Sequence, residues 1–454
     1  MEATPYPPPA KARVAMVVLT VAYMLSFIDR QILSLLVEPM KHDLHITDFQ
    51  ASLLQGFAFA AIYAVAGIPF GRLADRFNRR NIIVFGVALW SVMTTLCGVV
   101  HSFSALFVGR FGVGIGEAAL SPAAYSLLSD YFSPARLPRA MAFYGLGPAV
   151  GTGFAYMLGG TILSRVGGAE ALALGSFGLV RPWQVAFIAV GCLGAVVILL
   201  LTLMSEAPRR ATAINARQAF SFSQTFSFFA THWQGLGTLF FGMSMLGIQA
   251  YAAMAWFPSM LVRTFGAKVS NVGLIFGAVY LISSVIGSLG GAWCATRLPG
   301  DGHRNPYVRW AMICATVLTI SAGSAPLWPT LDETYAACAV MFAWQAAWMG
   351  VAISAIQLAV PNQMRATLTS MLLFCTNILG LTLGPSGVAV LTQFVFHDPL
   401  ALRYSISIVS VIAGLLAVGA MAASLRNFPA LTSPYALPHH SMGAAQIPCK
   451  PITP

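Results

Sequence analysis

Apolar runs of about 20 residues, the length a helix needs to cross a bilayer, recur twelve times along this chain. They cover roughly 14–37, 51–72, 81–100, 104–129, 139–163 and 183–204, then 232–262, 271–296, 308–328, 334–360, 366–395 and 403–425. The widest polar gap, 205–231, is basic and divides the runs six and six. The pattern predicts an all-α integral membrane protein with twelve transmembrane helices in two six-helix bundles. The chain then divides into an N-terminal segment (1–13), a first bundle (14–204), a linker (205–231), a second bundle (232–425) and a tail (426–454). The Phe-rich end of the linker suits an amphipathic segment in the membrane interface. The tail has several prolines and no apolar periodicity, the signature of disorder.

Composition agrees. Of 454 residues, 57% are hydrophobic and 9% charged, where soluble domains carry about 25% charged residues. The net charge of +11 suggests nucleic acid in a soluble protein, but no Lys/Arg run with interleaved aromatics is present. Its placement instead reports topology. With the N-terminus inside, 17 of the 25 Lys/Arg fall on the inner side and six outside. This bias puts both termini in the cytoplasm, and the short tails suit a bacterial inner membrane. The first run is too long for a signal-peptide core and reads as a retained helix. The seven scattered cysteines form no CxxC pair, which points to neither a disulfide framework nor a metal site.

Four charges lie deep inside runs long enough to span a membrane, away from the run ends: Asp29 and Arg30 in the first, Arg110 and Glu117 in the fourth. A charge at the bilayer centre costs about 2.5–3.5 kcal/mol on insertion scales and needs a partner or a watery cavity. Arg110 and Glu117 are seven residues apart, two helical turns, so they share one face. Gly114 lies between them, and Gly112 and Gly116 thin the neighbouring faces. Asp29 and Arg30 point about 100° apart and cannot neutralise each other across one face, so at least one should reach Arg110 or Glu117. Two other readings stay open: a purely structural ion pair, or an Asp29–Arg30 pair near the outer end, snorkelling to water. No Asp, Glu, Lys or Arg lies deep in the second six runs. They offer Tyr251, Trp256, Trp344 and Asn377, candidates for an apolar, adaptable pocket.

The second run ends in Gly71-Arg72-Leu73-Ala74-Asp75-Arg76-Phe77-Asn78-Arg79-Arg80. This string resembles the G-x-L-a-D-r-x-x-r-r loop of the major facilitator superfamily. Its physics suits a latch that forms and breaks: Gly71 permits close contact, and Asp75 accepts from arginines or a facing helix N-terminus. Arg110-x-x-x-Gly114-x-Gly116 and Gly147-Pro148-x-x-Gly151 resemble two further motifs of the superfamily, though Phe143 and Thr152 replace flanking glycines. Gly147, Gly151, Ala155 and Gly159 form a smooth stripe at four-residue spacing. In the second half, Thr296 stands where Asp75 stands in the first. Ser26-Phe27-Ile28-Asp29-Arg30 and Gly109-Arg110 through Glu117-Ala118 also resemble strings of the spinster family. The resemblance implies a two-bundle transporter working by alternating access, and spinster proteins are linked to sphingosine-1-phosphate and lysophospholipids.

The expectation is a monomeric, proton-linked transporter of an amphipathic lipid-like anion, in contact with membrane lipids, without nucleic acid and with no cofactor beyond the coupling proton. Asp29 and Glu117 would carry the proton, and Arg30 and Arg110 would neutralise them or hold a headgroup. Gly71, Asp75, Arg76, Arg79 and Arg80 would form the latch. A soluble organic anion or drug is the alternative substrate. An enzyme is disfavoured, because no run contains HxxxH, HExxH or GxSxG.

Overall fold

The computed structural model describes residues 6–167, 171–173, 178–209, 222–297, 306–360 and 364–427. Of the tail expected at 426–454, Arg426 and Asn427 end the last helix; the rest of it and the middle of the linker lie outside the described residues. Among the described residues, eleven helices are long and apolar enough to cross a membrane, and Leu331–Ala359 fills the twelfth place. In chain order they are α1 Pro9–Leu44, α2 Asp48–Arg76, α3 Arg79–Cys97, α4 Phe103–Tyr131, α5 Leu137–Val166, α6 Pro182–Leu203, α7 Trp233–Phe265, α8 Val269–Arg297 and α9 Pro306–Leu327. They continue with α10 Leu331–Ala359, α11 Arg365–Val390, extended by a π-helical turn Leu391–Phe396, and α12 Leu402–Asn427. A short helix, Phe222–Thr231, occupies the Phe-rich end of the linker. Leu172–Ala173 pairs antiparallel with Leu179–Val180, a small hairpin between α5 and α6 that the apolar pattern does not announce.

Local sequence sets the ends. Thr47 caps α2 with a reciprocal Gln50 capping box, Asn78 caps α3 through Asn81 N–H, and Ser102 caps α4 through Ala105 N–H. Each satisfies a donor that the first helical turn leaves open. Several helices outrun their apolar windows. α1 continues through Lys41, His42 and Asp43 to Leu44, because charged residues at a helix end reach water.

An even number of spans returns the chain to the face it left. We call the face holding the start of α1 and the end of α12 the near face, and the other the far face. The two bundles meet tightly toward the far face. A Cβ built on Gly273 of α8 would lie 2.7 Å from Cα of Gly160 on α5, and one on Gly153 would lie 2.7 Å from Leu281 Cβ. Only glycines allow this approach. The other side of α5 receives α1: Cβ atoms on Gly151 and Gly159 would meet Met24 O at 2.5 Å and Leu35 Cδ2 at 2.8 Å. The glycine stripe that begins at Gly147-Pro148 thus seats the helix carrying Asp29 and Arg30.

Ionic contacts close the far face. Arg263 at the end of α7 grips Asp48 with Nη1 and Nη2, at 2.9 and 2.7 Å, and donates from Nε to Glu38 at 2.9 Å. Lys41 joins Asp48 as well. The Phe49 N–H donates to Gln393 Oε1 at 3.0 Å, and the Phe49 and Phe394 rings meet edge to face. The near-face glycines Gly71 and Gly290 are not closely packed: Cβ atoms on them would have nothing within 4 Å. Asp75 and Arg76 are exposed, and no hydrogen bond or ion pair engages Asp75 among the described residues.

Removing one member of a buried ion pair strands the other charge, at a cost of about 3–5 kcal/mol. Arg263→Ala should therefore loosen the far face. In a background freed of native cysteines, a cysteine at Ser386, which faces Ser52 across the bundles, should react several-fold faster with an impermeant maleimide applied from the far face. Equal rates would show that Arg263 does not hold this face shut.

Candidate functional site

The four charges meet in the interior of the first bundle as two crossed ion pairs. Arg110 Nη1 donates to Asp29 Oδ1 at 3.0 Å, and Arg30 Nη2 donates to Glu117 Oε2 at 2.6 Å. Exposure is 1% for Asp29, 7% for Arg30, 0% for Arg110 and 1% for Glu117. These values exclude snorkelling of Asp29–Arg30 to water. The geometry follows from helix periodicity: two consecutive residues on α1 diverge, and two residues two turns apart on α4 receive one each. Thr94 of α3 donates its hydroxyl to Asp29 Oδ2, and Ser26 donates to Glu117 Oε2 at 2.6 Å.

Close packing places α4. A Cβ on Gly114 would lie 2.5 Å from Ile62 Cγ2 of α2, and one on Gly116 would lie 2.7 Å from Gly86 O of α3. α2 and α3 therefore press against the two turns that separate Arg110 from Glu117. The Arg30 guanidinium lies over the rings of Phe59, Phe27 and Tyr63, at 4.2, 4.6 and 5.5 Å. Ring faces favour a cation and are apolar enough to exclude water.

The pairs balance charge but leave hydrogen-bonding capacity over. Arg30 Nε, Arg110 Nε, Arg110 Nη2 and Glu117 Oε1 are buried without a protein partner. Buried polar groups are ordinarily satisfied. Nε and Nη2 of Arg110 form the side-on fork of the guanidinium, the geometry that takes a carboxylate or phosphate with two bonds.

The second bundle contributes unequally. Tyr251 on α7 lies beside Arg30 and donates its hydroxyl to Asn377 Oδ1 on α11 at 2.7 Å, so these two residues join the charge site. Trp256 is fully enclosed and donates Nε1–H to Pro385 O at 2.9 Å, two elements of the far-side closure. Trp344 packs its ring against Trp310; among the described residues it makes no contact with the four charges.

The near-face string splits into two parts. Arg79 is fastened within the first bundle: Nε to Glu206 at 2.8 Å, Nη1 to Asp130 and Ser126, Nη2 to Ala207 O at 2.8 Å. Arg80 binds Met204 O at 2.9 Å, and its N–H binds Glu206 at 2.9 Å. Both tie the start of α3 to the end of α6. Gly71, Asp75 and Arg76 are the free part: Asp75 and Arg76 are exposed, and a Cβ on Gly71 would meet nothing within 4 Å.

Three groups carry no clear signal in sequence. Thr94, followed by Thr95, and Gln55 are uncharged polar residues inside apolar runs, the commonest kind of packing residue. Arg263 lies just past the apolar window that opens the second half, and its partners Glu38 and Asp48 stand more than 200 positions earlier.

Comparison with known proteins places this geometry. The family model for the Major Facilitator Superfamily matches residues 19–385. An MFS-type efflux pump of Mycolicibacterium smegmatis is 29% identical over 91% of this chain and 92% of its own. Protein spinster homolog 1 of Homo sapiens is 27% identical over 70% of this chain, and the match spans 60% of that protein. A probable L-galactonate transporter of Escherichia coli is 25% identical over 60% of this chain and 58% of its own. Among solved structures, a bacterial homolog to the human lysosomal transporter Spinster, in an inward-facing and unoccupied conformation, superposes with a TM-score of 0.74 at 23% identity, covering 94% of this chain and 98% of that one. With twelve long helices among the described residues and the near-face string between α2 and α3, this chain is a multi-pass membrane transporter, not an enzyme, and it belongs to the major facilitator superfamily.

Proposed function

We propose that the chain is a proton-linked carrier of an amphipathic anion, a lysophospholipid or a sphingosine-1-phosphate-like lipid, working by alternating access. The observation that carries this reading is the crossed ion pair, neutral as a whole and with the donor fork of Arg110 unspent. The charges deep in the apolar runs lie in the first bundle, while the facing helices supply apolar and aromatic surface. A molecule with an anionic head and an apolar chain needs both. The relatives named spinster lend the lipid class further support.

Coupling follows from competition. A substrate anion that engages Arg30 or Arg110 withdraws that arginine from Glu117 or Asp29. An uncompensated carboxylate in the bilayer interior is held at lower cost as the neutral acid. Substrate and proton then bind with reciprocal linkage through the shared arginine. Tyr251 connects this event to the second bundle, because it lies beside Arg30 and bonds Asn377. Closure of the near face would bring the free part of the string, Gly71, Asp75 and Arg76, against the other bundle, while the Arg263 contacts at the far face release. The Lys/Arg bias makes the near face cytoplasmic, with both termini there, and suits a bacterial inner membrane.

A soluble organic anion or drug is the second reading. The relatives named as an efflux pump and as an L-galactonate transporter favour it. Uptake of a fluorescent lysolipid into proteoliposomes, in competition with small carboxylates, separates the two.

Asp29→Asn and Glu117→Gln imitate permanently protonated acids. Each should abolish accumulation driven by an imposed pH gradient while retaining downhill exchange in proteoliposomes. If both variants answer the gradient as the parent does, neither carboxylate couples and the pairs are structural.

Arg110→Lys keeps the charge and loses the fork. Hydrogen bonds to charged groups are worth about 1.5–3 kcal/mol, so affinity for a phosphate-headed ligand should fall roughly tenfold or more. Equal affinity in parent and variant would leave only a simple electrostatic role for Arg110.

A further inference from the structure

The helix α2 contains a π-helical turn, Leu53–Phe57. Such turns insert a residue into the α-helical register, re-aim the side chains around it, and occur often at functional sites. Gln55 stands in its middle. The side chain is 5% exposed, and neither Oε1 nor Nε2 has a protein partner. The turn is wedged in place: a Cβ on the adjoining Gly56 would lie 1.8 Å from Leu381 O of α11. Gln55 lines a small cavity between the bundles, shared with Arg30, Ser34, Tyr251, Met254 and Pro385. Its volume is about 10 Å³, room for roughly one water-sized group. Asp48, which Arg263 grips, lies two helical turns before Gln55 on α2, so the cavity sits below the far-side closure.

A buried amide with both ends unpaired is costly, and a fold keeps one where something else supplies the bonds. The missing partner must donate to Oε1 and accept from Nε2, and it must fit beside the Arg30 guanidinium. A hydroxyl does both at once. A protonated amine only donates and meets the like charge of Arg30. A second anionic oxygen accepts from Nε2 but is repelled by Oε1. The cavity is too small for a ring or a branched group.

We infer that Gln55 forms a hydroxyl subsite, and that the substrate is an anionic amphiphile with a free hydroxyl next to its anionic head. The inference rests on the amphipathic-anion reading above and narrows it. The anionic group engages Arg30, the neighbouring hydroxyl enters the Gln55 cavity, and the apolar chain extends away from both. Sites built to hydrogen-bond a hydroxyl reject analogues without it far more strongly than apolar pockets reject one methylene more or less.

The experiment is equilibrium binding to the purified full-length protein with two probes. One is a monoacyl glycerol phosphate with its free hydroxyl. The other is the deoxy counterpart, with the same chain and phosphate and no hydroxyl. The parent should bind the hydroxylated probe at least tenfold more tightly. Gln55→Met, of similar length and without donor or acceptor, should bind the two alike. Equal binding of both probes to the parent would overturn the subsite, the cavity then holding water alone, while the amphipathic-anion reading stands. Undiminished discrimination by Gln55→Met would overturn it too, by assigning the hydroxyl to another residue. If neither probe binds the parent, the reading of function falls and the subsite with it. The comparison within the parent needs no variant, so a poorly folding Gln55→Met cannot obscure the result.

Discussion

Two adjacent charges on one helix, Asp29 and Arg30, cannot satisfy each other across a single face, and water is out of reach at their depth. Each must find an opposite charge on a second helix. α4 supplies both, two turns apart, and much of the first bundle is arranged to let it do so. Gly114 and Gly116 let α2 and α3 close on α4 at the level of the charges. Gly151 and Gly159 let α5 seat α1 at the matching height. Thr94 and Ser26 take remaining carboxylate lone pairs. A bulky residue at these glycines would part the helices and strand charges whose isolation in the bilayer costs several kcal/mol.

Satisfaction stops short of complete, and that shortfall gives the site its chemistry. Each arginine spends one nitrogen on its carboxylate; Arg30 keeps Nε in reserve and Arg110 keeps Nε and Nη2. A wholly structural ion pair in so dry a place would be expected to use them. Arg30 borders the small cavity where the two bundles meet, with Tyr251 beside it from the second bundle. Whatever engages Arg30 is therefore felt on both sides of the interface. The far face is held by a compact ionic knot on Arg263, and at the near face Asp75 is exposed and unengaged among the described residues. The opposite state needs only the reverse: Asp75 engaged and Arg263 released.

Most of the architecture is legible in sequence because hydrophobicity at membrane depth is nearly obligatory. Twelve apolar runs and one wide basic gap lead directly to two bundles. Charges inside those runs are equally legible, since each demands a partner, and the divergence of Asp29 from Arg30 already requires α4. Which cation meets which carboxylate is not legible, because helix rotation and height set it and packing sets both. Arg79 and Arg80 belong to the same string as Asp75, yet they anchor within one bundle; the string cannot show this, because Glu206 and Asp130 approach only in three dimensions. Gln55 is the hardest to see. A lone glutamine in an apolar run looks like packing, and only a π-helical turn and an unpaired amide set it apart.

The central claim is that the substrate anion competes with Asp29 and Glu117 for their arginines, so that substrate and proton bind together. Its most direct measurement needs no membrane. An anionic amphiphile is titrated into purified protein in weakly buffered solution near neutral pH, with a dye reporting free protons. Exchange through the crossed pairs requires net proton uptake on binding, and the uptake should disappear when Glu117 and Asp29 are replaced by their amides. Saturable binding without proton uptake in the parent, or uptake that survives both replacements, would contradict the account.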